Sequence, residues 1–212
     1  MFMSFNSRIA SVYDKRFKLL GARPEASFWF SGFRKETRFE IITNEIRSLD
    51  PDRSVSICDL GCGYGAFAEY LSYKTTPKIS NYLGLDISSE VIKFCQSNYD
   101  YPWAKFEKAN NLKDKMGYIV MSGTFNYAAT SDVKKWEAYL YKNLVQCFKN
   151  TNRAMIFNLQ LSDGSAKIGK KNIYYANSAK IAEFCKATFG NCKVINNPLL
   201  KRDVTFVVEN KS

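Results

Sequence analysis

The densest chemistry in the sequence lies in Cys58-Asp59-Leu60-Gly61-Cys62-Gly63-Tyr64-Gly65 and in Asp86, 21 residues beyond the last of these glycines. Glycines spaced G-x-G-x-G let the backbone turn tightly and bring main-chain N–H groups against a bound ligand. An acid at the position of Asp86, closing the next strand, is placed to take the two hydroxyls of a ribose. A turn that cradles a pyrophosphate wants G-x-G-x-x-G with no anion ahead of it. Here Asp59 stands two residues before the first glycine, where it would repel a pyrophosphate and attract an ammonium group. The chain contains no His, which removes Ser-His-Asp and Cys-His catalysts and any His-containing metal site. A general base would have to be a carboxylate, Tyr, Lys, Cys or water, and no residue stands out in that role. The six cysteines form no CxxC and no zinc-binding spacing, so no metal is expected, and they read as free thiols in a reduced interior.

The elements that must position these residues follow from periodicity. Residues 4–20 read as an amphipathic helix with Ile9, Val12, Tyr13, Phe17 and Leu20 on one face. An aromatic cluster comes next, Phe28, Trp29, Phe30 and Phe33, read as core and lid packing rather than substrate stacking. A second helix is expected from about Arg34 to Ser48, closed by Asp50-Pro51. Val55–Leu60 is a short buried strand that runs straight into the glycine turn, and Ala66–Ser72 is a helix. Tyr82–Asp86, Trp103–Glu107, Tyr118–Gly123 and Arg153–Leu161 are further strands. Helices lie between them at Ser88–Ser97, with Ser88 or Ser89 as N-cap, and at about Ser131–Lys149. Ser162–Lys171 looks like a mobile loop, and Ala179–Phe189 is a helix with Ser178 as its N-cap. Lys193–Ile195 and Val204–Val208 are two closing strands with no helix between them. Alternating strands and helices imply a mostly parallel sheet covered on both faces.

Taken together these segments resemble the class I S-adenosylmethionine-dependent methyltransferases. Cys58–Gly65 is similar to the family's first motif, Tyr82–Ile87 to its second, Phe106–Asn111 to its third and Tyr118–Gly123 to its fourth, so the likeness covers about residues 50–160. The methyl donor carries a sulfonium and an ammonium and no phosphate, which suits Asp59. The resemblance implies an α/β, Rossmann-like, seven-stranded mostly parallel sheet in the order 3-2-1-4-5-7-6, last strand antiparallel, with helices on both faces. It also implies one methyltransferase domain over residues 1–212, with a helical N-terminal lid at 1–48 and a donor-binding core at 52–212. Gly61, Cys62, Gly63 and Gly65 would approach the methionine and ribose portions of the donor, Asp59 would help place its methionine end, and Asp86 would take its ribose hydroxyls. Ile87 would lie against adenine. Asn110, with Asn111 after it, stands where the family usually has the Asp that accepts from the adenine amino group. Ser122 follows the fourth strand, where the family lines the methyl-transfer site. Tyr13 and Arg38 resemble lid residues that reach the donor. S-adenosylhomocysteine would be the product. The bland alternatives are a ligand-free strand-to-helix turn at Gly61–Gly65, a simple helix cap at Asp86, and loop polar groups at Ser122 and Asn126.

The segment after the fourth strand narrows the acceptor. Ser122-Gly123-Thr124-Phe125-Asn126-Tyr127 lacks the Asp/Asn-Pro-Pro-aromatic sequence of amino-methyltransferases of nucleic acids, and it lacks the Pro-Cys nucleophile of carbon-5 pyrimidine methylation. The resemblance therefore leans to compact bacterial enzymes that methylate an oxygen or nitrogen of a small molecule, with Tyr13, Tyr127 or the 162–171 segment shaping the acceptor pocket. An RNA or ribosomal methyltransferase is the alternative, supported by 31 Lys and Arg against 20 Asp and Glu, a net +11. A non-catalytic donor-binding domain is the second. The Lys pairs at 134–135 and 170–171 read as solvated surface. No signal-peptide pattern and no apolar run of membrane-spanning length occurs, so a cytoplasmic enzyme with no membrane partner is expected.

Overall fold

The computed structural model describes residues 4–27 and 32–211. The expected aromatic cluster at Phe28, Trp29 and Phe30 lies outside the described residues. Its fourth member, Phe33, is 57% exposed and does not pack into the core.

The strands β1 (Ser54–Leu60), β2 (Lys78–Asp86), β3 (Ala104–Lys108), β4 (Met116–Ser122) and β5 (Thr151–Leu161) pair in parallel in the order 3-2-1-4-5. Beyond β5, β9 (Asp203–Glu209) runs antiparallel along Ala154–Gln160, and β8 (Lys193–Asn196) pairs antiparallel with β9. These are the expected five parallel strands and reversed closing pair. The described residues add two short strands that the sequence reading missed, β6 (Lys167–Ile168) and β7 (Tyr174–Ala176). They form an antiparallel pair, and β7 joins the end of β5 at Gln160 and Leu161. The stretch read as a mobile loop is thus partly sheet, and Tyr127 bridges to Ile173 just beyond it. Its polar sequence hid this because a two-residue strand is too short to show a period.

Successive side chains of a strand point to opposite faces, and the core divides accordingly. Ile57, Tyr82, Tyr118, Val120, Ile156 and Val207 meet α2 (Gly32–Leu49), α3 (Ala66–Ser72) and α4 (Ser89–Asn98) through Phe39, Phe67 and Val91. On the other face, Cys58, Ile119, Met155 and Phe206 meet α5 (Val133–Lys149) and α6 (Ser178–Phe189) through Trp136, Leu140 and Ile181. The N-terminal helix α1 (Phe5–Leu20) contributes Ile9 to this second cluster. It lies between α4 and α5: the Asn6 amide oxygen accepts from the Tyr139 hydroxyl at 2.6 Å, and the Ser88 hydroxyl donates to Asp14. Ser88 caps α4, as expected, while α6 is capped by Asn177 rather than Ser178. Asparagine wins there because its side-chain oxygen reaches the N–H of Lys180 at 3.0 Å. All six cysteines are free thiols.

Candidate functional site

At the carboxyl ends of β1, β2 and β4 the chain encloses a cavity of about 1140 Å³, open solvent at its mouth included. This edge of an open parallel sheet, where the strand order reverses beside β1, is the usual place for a ligand. α1 lines its near side with Ile9, Tyr13 and Phe17, and α2 contributes Phe39.

The glycine turn is held by its own backbone. The N–H groups of Gly61 and Cys62 both donate to the Leu85 carbonyl, at 2.7 and 3.0 Å, which folds the loop back onto the end of β2. Gly61 has φ +79°, and a Cβ there would stand 2.6 Å from the Thr124 side chain, so the first glycine lets the loop after β4 close against β1. Gly65 has φ +81°, and a Cβ would stand 2.5 Å from the Tyr99 ring. Gly61, Cys62 and Gly63 line the cavity and Gly65 does not; the bare Cα of Gly65 lets α3 pack on Tyr99.

Asp86 ties the turn to α4. One carboxylate oxygen accepts from the Gly63 N–H at 3.0 Å and the other from the Ser88 N–H at 2.8 Å. A carboxylate oxygen has room for a second donor, and Asp86 lines the cavity. Burial pushes its pKa up, against the lowering by those backbone N–H groups, and the charge of Asp14 adds to the rise. Asp59 is 3% exposed and accepts from the Tyr82 hydroxyl at 2.7 Å. Burial pushes its pKa up to about 7; the Tyr82 hydrogen bond opposes this and the neighbouring Asp86 reinforces it. Tyr13 faces the same end from α1, edge-to-face with Tyr127 at 6.0 Å between ring centres. Its phenol is held protonated by burial and by the charge of Asp86.

Ile87 and Asn110 line the cavity beside Ala109; Asn111 is exposed and off the wall. Ser122 lines it from the end of β4, with a buried hydroxyl that has no hydrogen-bond partner. Thr124 is already engaged, donating to the Leu60 carbonyl at 2.6 Å.

Arg38 stands elsewhere. Its guanidinium is buried, with both Nε, at 2.8 Å, and Nη2 on Asp203 Oδ2. Asp203 Oδ1 accepts from the Asn158 amide at 2.6 Å, and Asn158 Oδ1 accepts from the Gly123 N–H at 2.7 Å. Among the described residues Arg38 thus meets the site at third hand, through a chain of buried polar groups that fixes the loop after β4. Sequence reasoning missed Asp203 in this role; the visible signal was Asn158, an amide inside the apolar run Ala154–Leu161. Among the described residues no three metal-ligating side chains come together, and no helix is long and apolar enough to cross a membrane.

Comparison with known proteins agrees with this geometry. A family model described as a methyltransferase domain matches residues 51–191. Rv1506c of Mycobacterium tuberculosis, which carries the name of a methyltransferase, is 30% identical over 148 residues, 68% of this chain and 84% of that protein. Among solved structures, the magnesium protoporphyrin IX methyltransferase of Synechocystis PCC 6803 with bound SAH (S-adenosylhomocysteine) aligns with a TM-score of 0.67 at 11% identity, over 97% of this chain and 99% of that one. A SAM-dependent methyltransferase of Leishmania major aligns with a TM-score of 0.67 at 13% identity, over 95% of this chain and 82% of that one. The matched span takes in β1, the glycine turn, Asp86 and the loop after β4, and the chain belongs to the methyltransferase family, with the class I, S-adenosylmethionine-dependent fold.

Proposed function

We propose that the cavity holds S-adenosylmethionine and that the chain transfers its methyl group to a nitrogen or oxygen of a small molecule. The observation that carries this reading is Asp86, whose two oxygens are oriented by the Gly63 and Ser88 N–H groups and which still faces the cavity. That arrangement suits a ribose diol, whose hydroxyls donate to the remaining lone pairs. The donor's other parts find fitting neighbours. Asp59 faces the charge of an ammonium, Ile87 and Ala109 offer an apolar slot, and the Asn110 amide oxygen can accept from an adenine amino group. When bound, the donor supplies an activated methyl group on a sulfonium. The protein then has to position, desolvate and exclude water, which can account for most of the rate in such a transfer.

α1 fits the lid role expected of residues 1–48 over a core of 52–212. It walls the cavity with Ile9, Tyr13 and Phe17 and is fastened to α4 through Asp14 and Ser88. A small-molecule acceptor fits a cavity this closed in; the paired lysines at 134–135 and 170–171 are exposed and lie off its wall. The test is calorimetric titration of S-adenosylhomocysteine into the protein and into Asp86→Asn, which keeps the shape and removes the charge. Losing charge-assisted hydrogen bonds should weaken binding by about 10- to 100-fold. Unchanged affinity would sink the ribose assignment.

A further inference from the structure

We infer that the methyl acceptor is an uncharged, weakly basic amine of the aryl or heteroaryl kind, and that the Ser122 hydroxyl receives its N–H. The inference rests on the reading of the cavity as the donor site, and it narrows the nature of the second substrate.

The first ground is charge. Among the described residues lining the cavity, the ionisable groups that carry charge are Asp59 and Asp86, both negative. The residues left undescribed, Met1, Phe2, Met3, Phe28, Trp29, Phe30, Ser31 and Ser212, bring no cationic side chain. Several cations of this +11 chain are committed to partners away from the wall: Arg38 to Asp203, Arg153 to Asp50, Lys180 to Glu137 and Lys193 to Glu45. A phosphate, sulfate or carboxylate taken from water into this enclosure would meet two carboxylates and no cationic side chain on the wall, which is costly; Arg16, whose charge reaches Tyr13, stands off the wall and donates to the Ala26 carbonyl at 3.1 Å. The wall selects against an anionic acceptor.

The second ground is proton transfer. An aliphatic alcohol is a poor nucleophile until a base takes its proton. The other titratable groups on the wall are Tyr13, Tyr64, Tyr139 and Cys62. Burial is the largest cause of a raised pKa in each, to about 12 for Tyr64 and Tyr139 and well above the ordinary thiol value for Cys62. All are therefore protonated at neutral pH and none is a base. Asp59 and Asp86 are committed by the donor reading to the ammonium and the ribose. The loop after β4 offers only Ser122, Gly123, Thr124 and Phe125 to the cavity. A neutral amine needs no base, because its lone pair is already available.

The third ground is the orphaned hydroxyl. Ser122 Oγ is buried without a partner, whereas Thr124 Oγ is spent on the Leu60 carbonyl. An amine N–H donating to Ser122 Oγ satisfies that atom and turns the nitrogen toward the end of β4. In the transfer, the nitrogen lone pair forms the N–C bond as the methyl C–S bond breaks. The C–S electron pair stays on sulfur, leaving neutral S-adenosylhomocysteine sulfur and a methylated ammonium, whose N–H proton then passes to solvent.

The test uses four probes on one ring: aniline, phenol, benzyl alcohol and phenyl phosphate. Binding to the protein saturated with S-adenosylhomocysteine is followed by ligand-observed NMR. Aniline should bind at roughly millimolar concentration, as small fragments do, and phenyl phosphate should not. Ser122→Ala should weaken aniline by about 2- to 10-fold, the worth of one net hydrogen bond, with S-adenosylhomocysteine affinity unchanged. With labelled S-adenosylmethionine, label should enter the aniline nitrogen and leave benzyl alcohol untouched. Phenyl phosphate binding as well as aniline, label on benzyl or phenol oxygen in preference to nitrogen, no binding by any ring, or indifference to Ser122→Ala would each overturn the inference while leaving the donor site standing. Failure of S-adenosylhomocysteine itself to bind would overturn the donor reading beneath it.

Discussion

The pKa of Asp59 makes donor affinity depend on pH in a way an ordinary carboxylate would not. An aspartate at its usual 3.8 is fully ionised throughout the neutral range; burial moves this one to about 7. If the ammonium of the ligand binds next to it, only the ionised form contributes the attraction, so below about pH 7 each binding event must first remove a proton. At about pH 6 roughly nine tenths of the Asp59 carboxyls are neutral, and affinity should fall about tenfold for each further pH unit. From about pH 8 to about pH 5.5 the loss should reach about 30-fold, or about 2 kcal/mol. S-adenosylhomocysteine carries the same ammonium and is stable over this range, so it serves as titrant. Calorimetry in two buffers of different ionisation enthalpy should count close to one proton released per ligand at about pH 6 and few at about pH 8. Burial also raises the pKa of Asp86, so Asp59→Asn is the discriminating control: it should bind more weakly at high pH and lose most of the pH slope. An affinity flat between about pH 5.5 and 8 with no proton released would refute the reasoning, since the shift and the contact would then not coexist.

The same shift acts on the unliganded fold with the opposite sign. Between 3.8 and about 7 folded Asp59 keeps its proton while the unfolded chain has lost it, so its contribution to stability falls as pH rises through that window. Melting temperatures of the native protein should show that fall, and Asp59→Asn should reduce it, the rest coming from the likewise raised Asp86. Gly65→Ala places a Cβ 2.5 Å from the Tyr99 ring at φ +81°, costing about 1–3 kcal/mol and lowering Tm by a few degrees, measurable by circular dichroism. Because Gly65 is off the wall, the folded variant should bind S-adenosylhomocysteine normally; a selective loss of binding would return Gly65 to the ligand. Arg38→Ala leaves buried Asp203 without its directly bonded guanidinium, with Arg34 3.9 Å away as the remaining cation, a loss of about 3 kcal/mol visible in denaturant melts. Donor affinity of the folded fraction should be unchanged; a donor affinity loss at unchanged stability would restore the contact implied by the family resemblance.

The features that the sequence disclosed are those whose physics is local. A buried strand, a glycine turn and an acid at the next strand's end depend on contiguous residues, and the backbone bonds from Gly61 and Cys62 to Leu85 and from Gly63 to Asp86 close that unit. The parallel order follows from alternating strands and helices, and Ser88 announces its cap by type and place. The pairing of Arg38 was not legible because its partner Asp203 lies 165 positions away, and no local pattern records which buried carboxylate a guanidinium will find. Gly65 is ambiguous in the sequence for a related reason: a motif says that a glycine is needed but not whether a ligand or the ring of Tyr99 requires it. The 162–171 stretch read as loop because β6 and β7 take their order from the end of β5 and from Tyr127, not from their own composition.

One electrostatic arrangement accounts for both the donor and the acceptor readings. Burying Asp59 near Asp86 is unfavourable without a ligand, and the rise in both pKa values records that cost. A cationic donor relieves it, because its positive charge favours the ionised carboxyl. The donor is net +1, its sulfonium and ammonium outweighing its own carboxylate, so with both aspartates ionised the loaded cavity stays slightly negative; an anion would worsen this, and a protonated amine, having no free lone pair, could not accept the methyl, while a neutral amine can. The net +11 of the chain adds little to this balance: its lysines and arginines stand off the cavity wall, where water and salt screen them, and among them the charge of Arg16 is felt at Tyr13. High salt should therefore leave donor affinity nearly unchanged. A chain that held RNA through those surface cations would instead lose its acceptor steeply as salt rises. Salt dependence separates the two acceptor classes even before either is identified.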